Sequence, residues 1–277
     1  MEKLQAALAR AREKREDGDG GRATRPELSA RNRSRRMAQA EAVDDAWNAV
    51  QRFEPSEKRL HDSRIFATEA SHEAQYFDIL RTKLLLEMRR NNWTRIGITS
   101  ATPSCGKTTI ACNLIAGLVR QPEFRGILFD MDFRRPAVSK MFGASPTASL
   151  EDVLSETVGF EEQAMRLGDN TIVSMTTNAL SDPAKLMNRV RTAEILDEIQ
   201  AVFRPDMMLF DLPPVLVSDE TRAFLKLIDA TIVVAGAESS TVSQIDEVER
   251  EVAQYTNVAG IVLNKCRFIE DGYGYSY

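Results

Sequence analysis

The sequence predicts an α/β fold in which a mostly parallel sheet is covered by helices on both faces. Two observations support this prediction. From residue 66 onward, short apolar segments alternate with longer amphipathic ones, and such alternation is typical of parallel strands that are connected by helices. At one junction between a strand and a helix, the chain also carries a loop with the composition of a phosphate-binding site.

The order of the elements follows from the spacing of the apolar residues. An amphipathic helix with apolar residues from Tyr76 to Leu85 comes first, and another helix follows the phosphate-binding loop. Parallel strands with right-handed crossovers bring their carboxyl ends to one edge of the sheet, where ligands bind. The predicted strands are 95–100, 126–131, 171–175, 207–212, 230–235 and 258–264, and the remaining predicted helices are 136–142, 149–155, 184–201, 219–228 and 240–255.

The first 64 residues differ in composition from the rest. Six arginines lie between Arg22 and Arg36 with few apolar residues among them, and such a segment buries too little surface to offset the entropy of ordering. We therefore predict a disordered basic arm at 1–64, a globular domain at 65–264 and a flexible tail at 265–277. A second interpretation is that the arm contacts anionic lipid or an acidic partner.

Composition excludes several classes of protein. The net charge is −5, and residues 65–277 carry 21 Lys and Arg against 29 Asp and Glu, which argues against a nucleic-acid partner. The three cysteines show neither metal-ligand nor CxxC spacing, as expected in a reducing compartment. No segment approaches the roughly 20 apolar residues that cross a bilayer. We therefore predict a cytoplasmic protein that reaches a membrane only through a partner.

The phosphate-binding loop runs from Ala101 to Thr109 with the sequence ATPSCGKTT. Backbone N–H groups and the dipole of the following helix bind phosphate oxygens in such loops, while Lys107 contacts the β- and γ-phosphates and the Thr108 hydroxyl ligates Mg²⁺. This predicts a nucleoside triphosphate site in a P-loop NTPase. Ser104 stands where glycine is common, and a positive φ there would weaken binding. The expected nucleotide contacts are Pro103, Ser104, Cys105, Gly106, Lys107, Thr108 and Thr109.

Three carboxylates end two of the predicted strands. Asp130 and Asp132 close one strand, and Asp211 closes another. Because residues two apart on a strand point to the same face, we expect Asp130 and Asp132 both to reach the ligand crevice. Carboxylates there can hold Mg²⁺ and accept a proton from an attacking hydroxyl. The sequence leaves open which of Asp130 and Asp132 is the base.

The last five residues hold three of the chain's five tyrosines, Tyr273, Tyr275 and Tyr277. If the last predicted strand is parallel to the others, the tail leaves the sheet at the nucleotide edge. A tail of about a dozen residues can span a few nanometres, so it could enter its own site or that of a neighbouring copy. We therefore expect these tyrosines to accept phosphate.

Taken together, these motifs resemble those of the bacterial tyrosine kinases of capsule and exopolysaccharide export, the BY-kinases. The resemblance covers the loop at 101–109, the segments 127–136 and 207–214, and the tyrosine cluster. It implies the three-layer P-loop NTPase sandwich of the cytosolic catalytic domain of these kinases, with ATP and Mg²⁺ as cofactors. It also extends to Arg134 and to Asn264, which it adds to the cofactor-binding residues.

The resemblance further implies a role for each site residue. Lys107, Asp130, Asp132 and Asp211 would form the catalytic set, and Thr108, Asp132 and Asp211 would hold the metal. Subunits would phosphorylate the tail of a neighbouring copy, along with other protein tyrosine substrates. A membrane-spanning polysaccharide co-polymerase would activate the kinase and recruit it to the inner face of the plasma membrane.

One departure from the family pattern concerns assembly. The first helix of these kinases carries Glu-x-x-Arg-x-x-Arg, which builds a ring of subunits, whereas this chain has Gln75, Asp78 and Arg81. The reversed charge at Asp78 puts ring assembly of the usual kind in question. Two other functions stay open: a partitioning-type ATPase, which usually has a lysine where Thr102 stands, and a non-catalytic adaptor of a co-polymerase.

Overall fold

The computed structural model describes residues 25–266 and forms an eight-stranded sheet. Its strand order is β1-β4-β5-β3-β6-β2-β7-β8, and every neighbouring pair is parallel except β4 and β5, which are antiparallel. The predicted mostly parallel sheet is therefore confirmed. The strands are β1 Gln51–Arg52, β2 Arg95–Ser100, β3 Gly126–Asp130, β4 Met165–Leu167, β5 Thr171–Ser174, β6 Met207–Asp211, β7 Ala230–Gly236 and β8 Asn257–Asn264.

Helices connect these strands, as the sequence predicted. None of those among residues 25–266 is both long and apolar enough to cross a lipid bilayer. They are α1 Arg25–Ala49, α2 Glu57–Asp62, α3 His72–Asn91, α4 Lys107–Gly117, α5 Val138–Phe142, α6 Leu150–Leu154, α7 Phe160–Gln163, α8 Ala184–Met187, α9 Val190–Phe203, α10 Asp219–Phe224 and α11 Val242–Ala253.

The central strands are covered on both faces. All five residues of β3 and all five of β6 are buried, and successive side chains on a strand point to opposite faces. Phe129 on β3 and Phe210 on β6 stack with their ring centroids 5.1 Å apart. Apolar side chains therefore fill the space on each side of the sheet, which confirms the predicted three-layer sandwich.

Several element predictions were wrong in detail. No pattern in the sequence indicated β1 and β4, which are only two and three residues long and therefore too short to show a period. The helix predicted at 184–201 is two helices, α8 and α9, because Arg189 between them is extended, with φ −70° and ψ 139°. The Thr192 hydroxyl donates to the Leu186 carbonyl at 2.7 Å, which bonds the start of α9 to α8.

The predicted domain boundary at residue 64 was also wrong. The chain divides after Asp45, and residues 46–64 belong to the larger unit. Trp47 is 1% exposed, and its Nε1–H donates to the Phe203 carbonyl at 2.7 Å. The prediction failed because residues 46–64 are rich in charged side chains, and the few large apolar residues that attach them to the domain were overlooked. Residues 25–45 of the smaller unit are helical, whereas 1–24 lie outside the described residues.

Asp78, the residue that departs from the family pattern, is engaged within the chain. Its Oδ1 accepts from Arg81 Nη1 at 2.8 Å and from Arg120 Nη2. Arg81 is 3% exposed and packs so closely on Gly117 that a Cβ there would lie 2.1 Å from Arg81 Nη1. The reversed charge at 78 therefore joins α3 to the segment that follows α4.

Replacing Trp47 tests whether residues 46–64 belong to the folded core. Trp47→Ala removes a buried ring and a hydrogen bond, so we expect the free energy of unfolding to fall by about 3–5 kcal/mol. Met37→Ala is the matched control because Met37, on the same helix, is 69% exposed. Urea denaturation followed by circular dichroism measures both. Equal stabilities would mean that this region does not contribute to the core.

Candidate active site

The phosphate-binding loop lies between β2 and α4, as predicted. Ser100 ends the strand and Lys107 begins the helix. Ser104 has φ 64° and Gly106 has φ 93°, so the strain predicted for a serine in this loop is present. A Cβ at Gly106 would also lie 2.1 Å from Asn264 Nδ2. Glycine at 106 is therefore required by backbone conformation and by space.

The side chains at the start of α4 point to the predicted carboxylates. Lys107 is 6% exposed, and its Nζ lies 4.0 Å from Asp132 Oδ2. The Thr108 hydroxyl donates to Asp211 Oδ2 at 2.6 Å. The structure thus brings together the phosphate-site lysine, the hydroxyl expected to ligate Mg²⁺ and two carboxylates, one from the segment after β3 and one from the end of β6.

Asp130 and Asp211 lie side by side at the ends of β3 and β6. They are paired in register on these parallel strands, and neither is exposed. Asp130 Oδ2 accepts from the backbone N–H groups of Ala137 and Val138 at 3.1 and 3.0 Å. One oxygen of Asp130 is thus bonded to the loop that follows β3, and Asp130 has no exposed surface, whereas Asp132 is 9% exposed.

The carboxylates are held in conditions that disfavour their charged forms. Burial raises the pKa of Asp211 to about 6. Burial and the neighbouring Asp211 charge raise the pKa of Asp130 well above its usual value. Burial also raises the pKa of Asp132, although the Lys107 charge opposes that rise. Asp130 and Asp211 thus lie side by side as two buried carboxylates, and the Lys107 charge favours the ionised forms of Asp132 and Asp211.

The polar atoms at this edge fit Mg²⁺. Asp130 Oδ1 and Asp211 Oδ1 are buried and accept no hydrogen bond, and carboxylate and hydroxyl oxygens are the ligands that Mg²⁺ prefers. Within residues 25–266, no three His, Cys, Asp or Glu side chains are grouped to hold a metal by themselves. Mg²⁺ is usually held by one or two carboxylates together with substrate phosphates. Thr108, Asp132 and Asp211 are the residues expected to hold it.

Asn264 contacts the phosphate-binding loop itself. Its Nδ2 donates to the Cys105 carbonyl at 2.9 Å, and Lys265 Nζ donates to the Ser104 carbonyl at 2.6 Å. We expected Asn264 to bind the cofactor, but in this arrangement it holds the loop that would do so. The resemblance covers Lys265 as part of the Leu-Asn-Lys stretch at 263–265 but gives it no role, because nothing local shows that it would contact a residue 161 positions away.

Arg134 is paired within the chain. Its Nε donates to Glu220 Oε1 at 2.5 Å, and Glu220 is 1% exposed. Arg134, which the resemblance placed among the cofactor-binding residues, thus neutralises a buried carboxylate at the start of α10. The sequence carried no signal for Glu220. The three tail tyrosines lie outside the described residues.

Removing the Asp211 charge should stabilise the folded chain in a pH-dependent way. The pKa of Asp211 in the folded chain, about 6, lies above the ordinary 3.8. Ionisation of Asp211 therefore lowers the free energy of unfolding as the pH rises from about 4 to 6. Asp211→Asn keeps an oxygen for Thr108. We expect it to raise the free energy of unfolding by on the order of 2–3 kcal/mol at pH 8, and by a small fraction of that at pH 4.

Urea unfolding at both pH values, without Mg²⁺, measures this effect. Thr108→Val is the comparison variant, because it removes the hydrogen bond to Asp211 and keeps the charge; its effect should have the opposite sign at pH 8. An Asp211→Asn protein that is less stable than the parent at pH 8 would contradict the proposed cost of the buried charge.

The contact between Asn264 and the loop should matter for nucleotide binding. Asn264→Ala frees the Cys105 carbonyl, and we expect the Kd for ATP to rise about tenfold, the equivalent of one lost hydrogen bond. Asn257→Ala is the matched control, since its amide bonds the Asp229 carbonyl at the other end of β8. Titration calorimetry with Mg-ATP compares the two. Equal affinities would show that the contact does not support the loop.

Several proteins similar in sequence to this chain are named tyrosine-protein kinases. No family model matches the chain. Tyrosine-protein kinase YwqD of Bacillus subtilis strain 168 is 24% identical over 221 residues, covering 78% of this chain and 92% of YwqD. Tyrosine-protein kinase Wzc of Salmonella typhimurium strain LT2 is 27% identical over 193 residues, covering 67% of this chain and 26% of Wzc.

The solved structures agree in fold. The kinase domain of Escherichia coli tyrosine kinase ETK superimposes with a TM-score of 0.63 at 24% identity, covering 73% of this chain and 79% of that domain. The chain spans only about a quarter of the length of the longer curated relatives it matches. A putative tyrosine-protein kinase in the cps region of Klebsiella pneumoniae is 30% identical over 190 residues, covering 67% of this chain and 26% of that protein. From these relatives, and from the phosphate-binding loop with its three carboxylates, we conclude that the chain belongs to the bacterial tyrosine kinase (BY-kinase) family.

Proposed function

We propose that this chain is an ATP-dependent protein-tyrosine kinase that phosphorylates its own C-terminal tyrosines, in trans between copies. The observation that carries the proposal is the direction of β8. This strand is parallel to β7, and it ends with Asn264 bonded to the phosphate-binding loop. The chain that leads to Tyr273, Tyr275 and Tyr277 therefore departs from the domain beside the loop.

The side chains around the loop suit phosphoryl transfer to a phenol. Lys107 and the N-terminus of α4 would bind the β- and γ-phosphates. Bound Mg²⁺ would neutralise phosphate charge. The phenol oxygen forms a bond to the γ-phosphorus, the bond to the β-phosphate oxygen breaks and ADP leaves. The phenol proton goes to one of two carboxylates, Asp130 at the end of β3 or Asp132 just after it.

Partners and location are proposed from the family. The resemblance supports a membrane-spanning polysaccharide co-polymerase as activator, recruitment to the inner face of the plasma membrane, and control of capsule or exopolysaccharide export. Transfer in trans needs contact between copies. Because Asp78 is already bound to Arg81 and Arg120, we propose that copies meet through contacts other than the usual first-helix charges.

Mass spectrometry tests the transfer. After incubation with Mg-ATP we expect up to three added phosphoryl groups, all within residues 267–277, and none in Lys107→Met. Mixing Lys107→Met with a variant in which Tyr273, Tyr275 and Tyr277 are Phe separates catalyst from acceptor. Phosphate on the Lys107→Met chain would then demonstrate transfer in trans.

Other outcomes favour the competing functions. Phosphate release without tyrosine labelling would support the partitioning-type ATPase, although Thr102 stands in place of the usual lysine of that class. Absence of ATP binding, in keeping with the strained Ser104, would support the adaptor. Asp130→Asn and Asp132→Asn, assayed separately, identify the base, whose loss should slow transfer by about 10²–10⁴-fold.

A further inference from the structure

Arg135 places a positive charge at the rim of the site. It is exposed and lies three residues after Asp132, in the segment between β3 and α5. Its backbone N–H donates to the Asp132 carbonyl at 3.0 Å and to Asp132 Oδ1 at 3.1 Å. The other end of the segment is bonded to Asp130 through Ala137 and Val138. The backbone that carries Arg135 is therefore fixed against both carboxylates.

The Arg135 guanidinium is available to a ligand. Across residues 25–266 its side chain makes no ion pair or hydrogen bond, whereas the cations beside it are engaged. Arg134 is paired with the buried Glu220, and Lys107 is buried and faces Asp132. The Arg135 side chain is also exposed to solvent.

The site needs such a charge if its substrate is acidic. Burial raises the pKa of Asp132; the charges of Lys107 and Arg135 oppose that rise, and the charge of Glu220 adds to it. The rim is therefore rich in carboxylates, and a second acidic segment would be repelled from it unless a cation compensated. Arg135 is close enough to Asp132 to act electrostatically on a substrate there.

The segment that leads to the proposed acceptors is acidic. Glu270 and Asp271 stand three and two residues before Tyr273. When a phenol is at Asp132, residues two or three positions earlier lie within about 10 Å along an extended chain. This is about the distance over which exposed charges interact at ordinary ionic strength.

We infer that Arg135 is a specificity-determining residue that binds the acidic side chains directly before the acceptor tyrosine, so that the preferred substrate is an acidic tyrosine peptide. This inference rests on the proposed function, because it assigns the substrate class of the same site. The inference predicts that a peptide is phosphorylated well only if acidic side chains stand directly before its tyrosine.

Charge exchange between enzyme and peptide tests the inference. The enzyme is the full chain with Tyr273, Tyr275 and Tyr277 replaced by Phe, and the substrates are a peptide of residues 267–277 and its Glu270→Lys, Asp271→Lys form. We expect Arg135→Glu to raise KM for the acidic peptide about tenfold with kcat nearly unchanged, and to lower KM for the lysine peptide. Arg250→Glu, the same change at an exposed position on α11, should alter neither.

Two results would overturn the inference: equal loss of activity of Arg135→Glu on both peptides, or an equal effect of Arg250→Glu. Binding of a fluorescent peptide with Phe in place of the tyrosines gives a readout that needs no catalysis. If no tyrosine is phosphorylated but binding depends on the charge at 135, the kinase proposal fails and the peptide site stands. If phosphorylation occurs without regard to peptide charge, the kinase proposal stands and only the role of Arg135 is rejected.

Discussion

The pairing of two buried carboxylates, Asp130 and Asp211, is the constraint on which the rest of the site depends. They stand in register at the ends of adjacent parallel strands, and the stacked rings of Phe129 and Phe210 lie directly before them. The sheet thus holds two like charges where water cannot separate them. One oxygen of each is satisfied by the chain, and the other is not. A cation with bound phosphates would relieve this repulsion. The burial that makes the two charges unfavourable in the free chain therefore favours binding of the ligand.

The second constraint is the attachment of the phosphate-binding loop to the end of the last strand. Ser104 and Lys265 both have positive φ, at 64° and 63°, and the Lys265 ammonium bonds the Ser104 carbonyl. A loop with only one glycine in its second half is therefore held in shape by contacts from β8. The chain continues from Lys265 toward the three tyrosines, so the start of that segment is bonded to the loop.

Prediction from sequence succeeded where apolar residues were dense and failed where they were sparse. The strands around the site, which are buried on both faces, read as continuous apolar runs, and their ends were predicted to within a residue or so. Residues 46–64 were misread because a charged composition concealed Trp47, a single large residue with a buried hydrogen bond. The short strand β4 was missed because three residues carry no period. In each case the deciding contact lies with residues far along the chain.

The sequence by itself determined the phosphate chemistry. A strand, a loop that ends in Gly106-Lys107-Thr108 and a helix are local features, and local spacing is sufficient to specify them. Only the tertiary structure decided how far each remaining polar residue is buried and which partner it binds. It left Asp130 with no exposed surface and Asp132 with 9%, and it paired Arg134 with a carboxylate 86 positions away. It also joined the Asn264 amide to a carbonyl 159 positions away. Such contacts depend on how the whole sheet is ordered, and no local pattern contains that information.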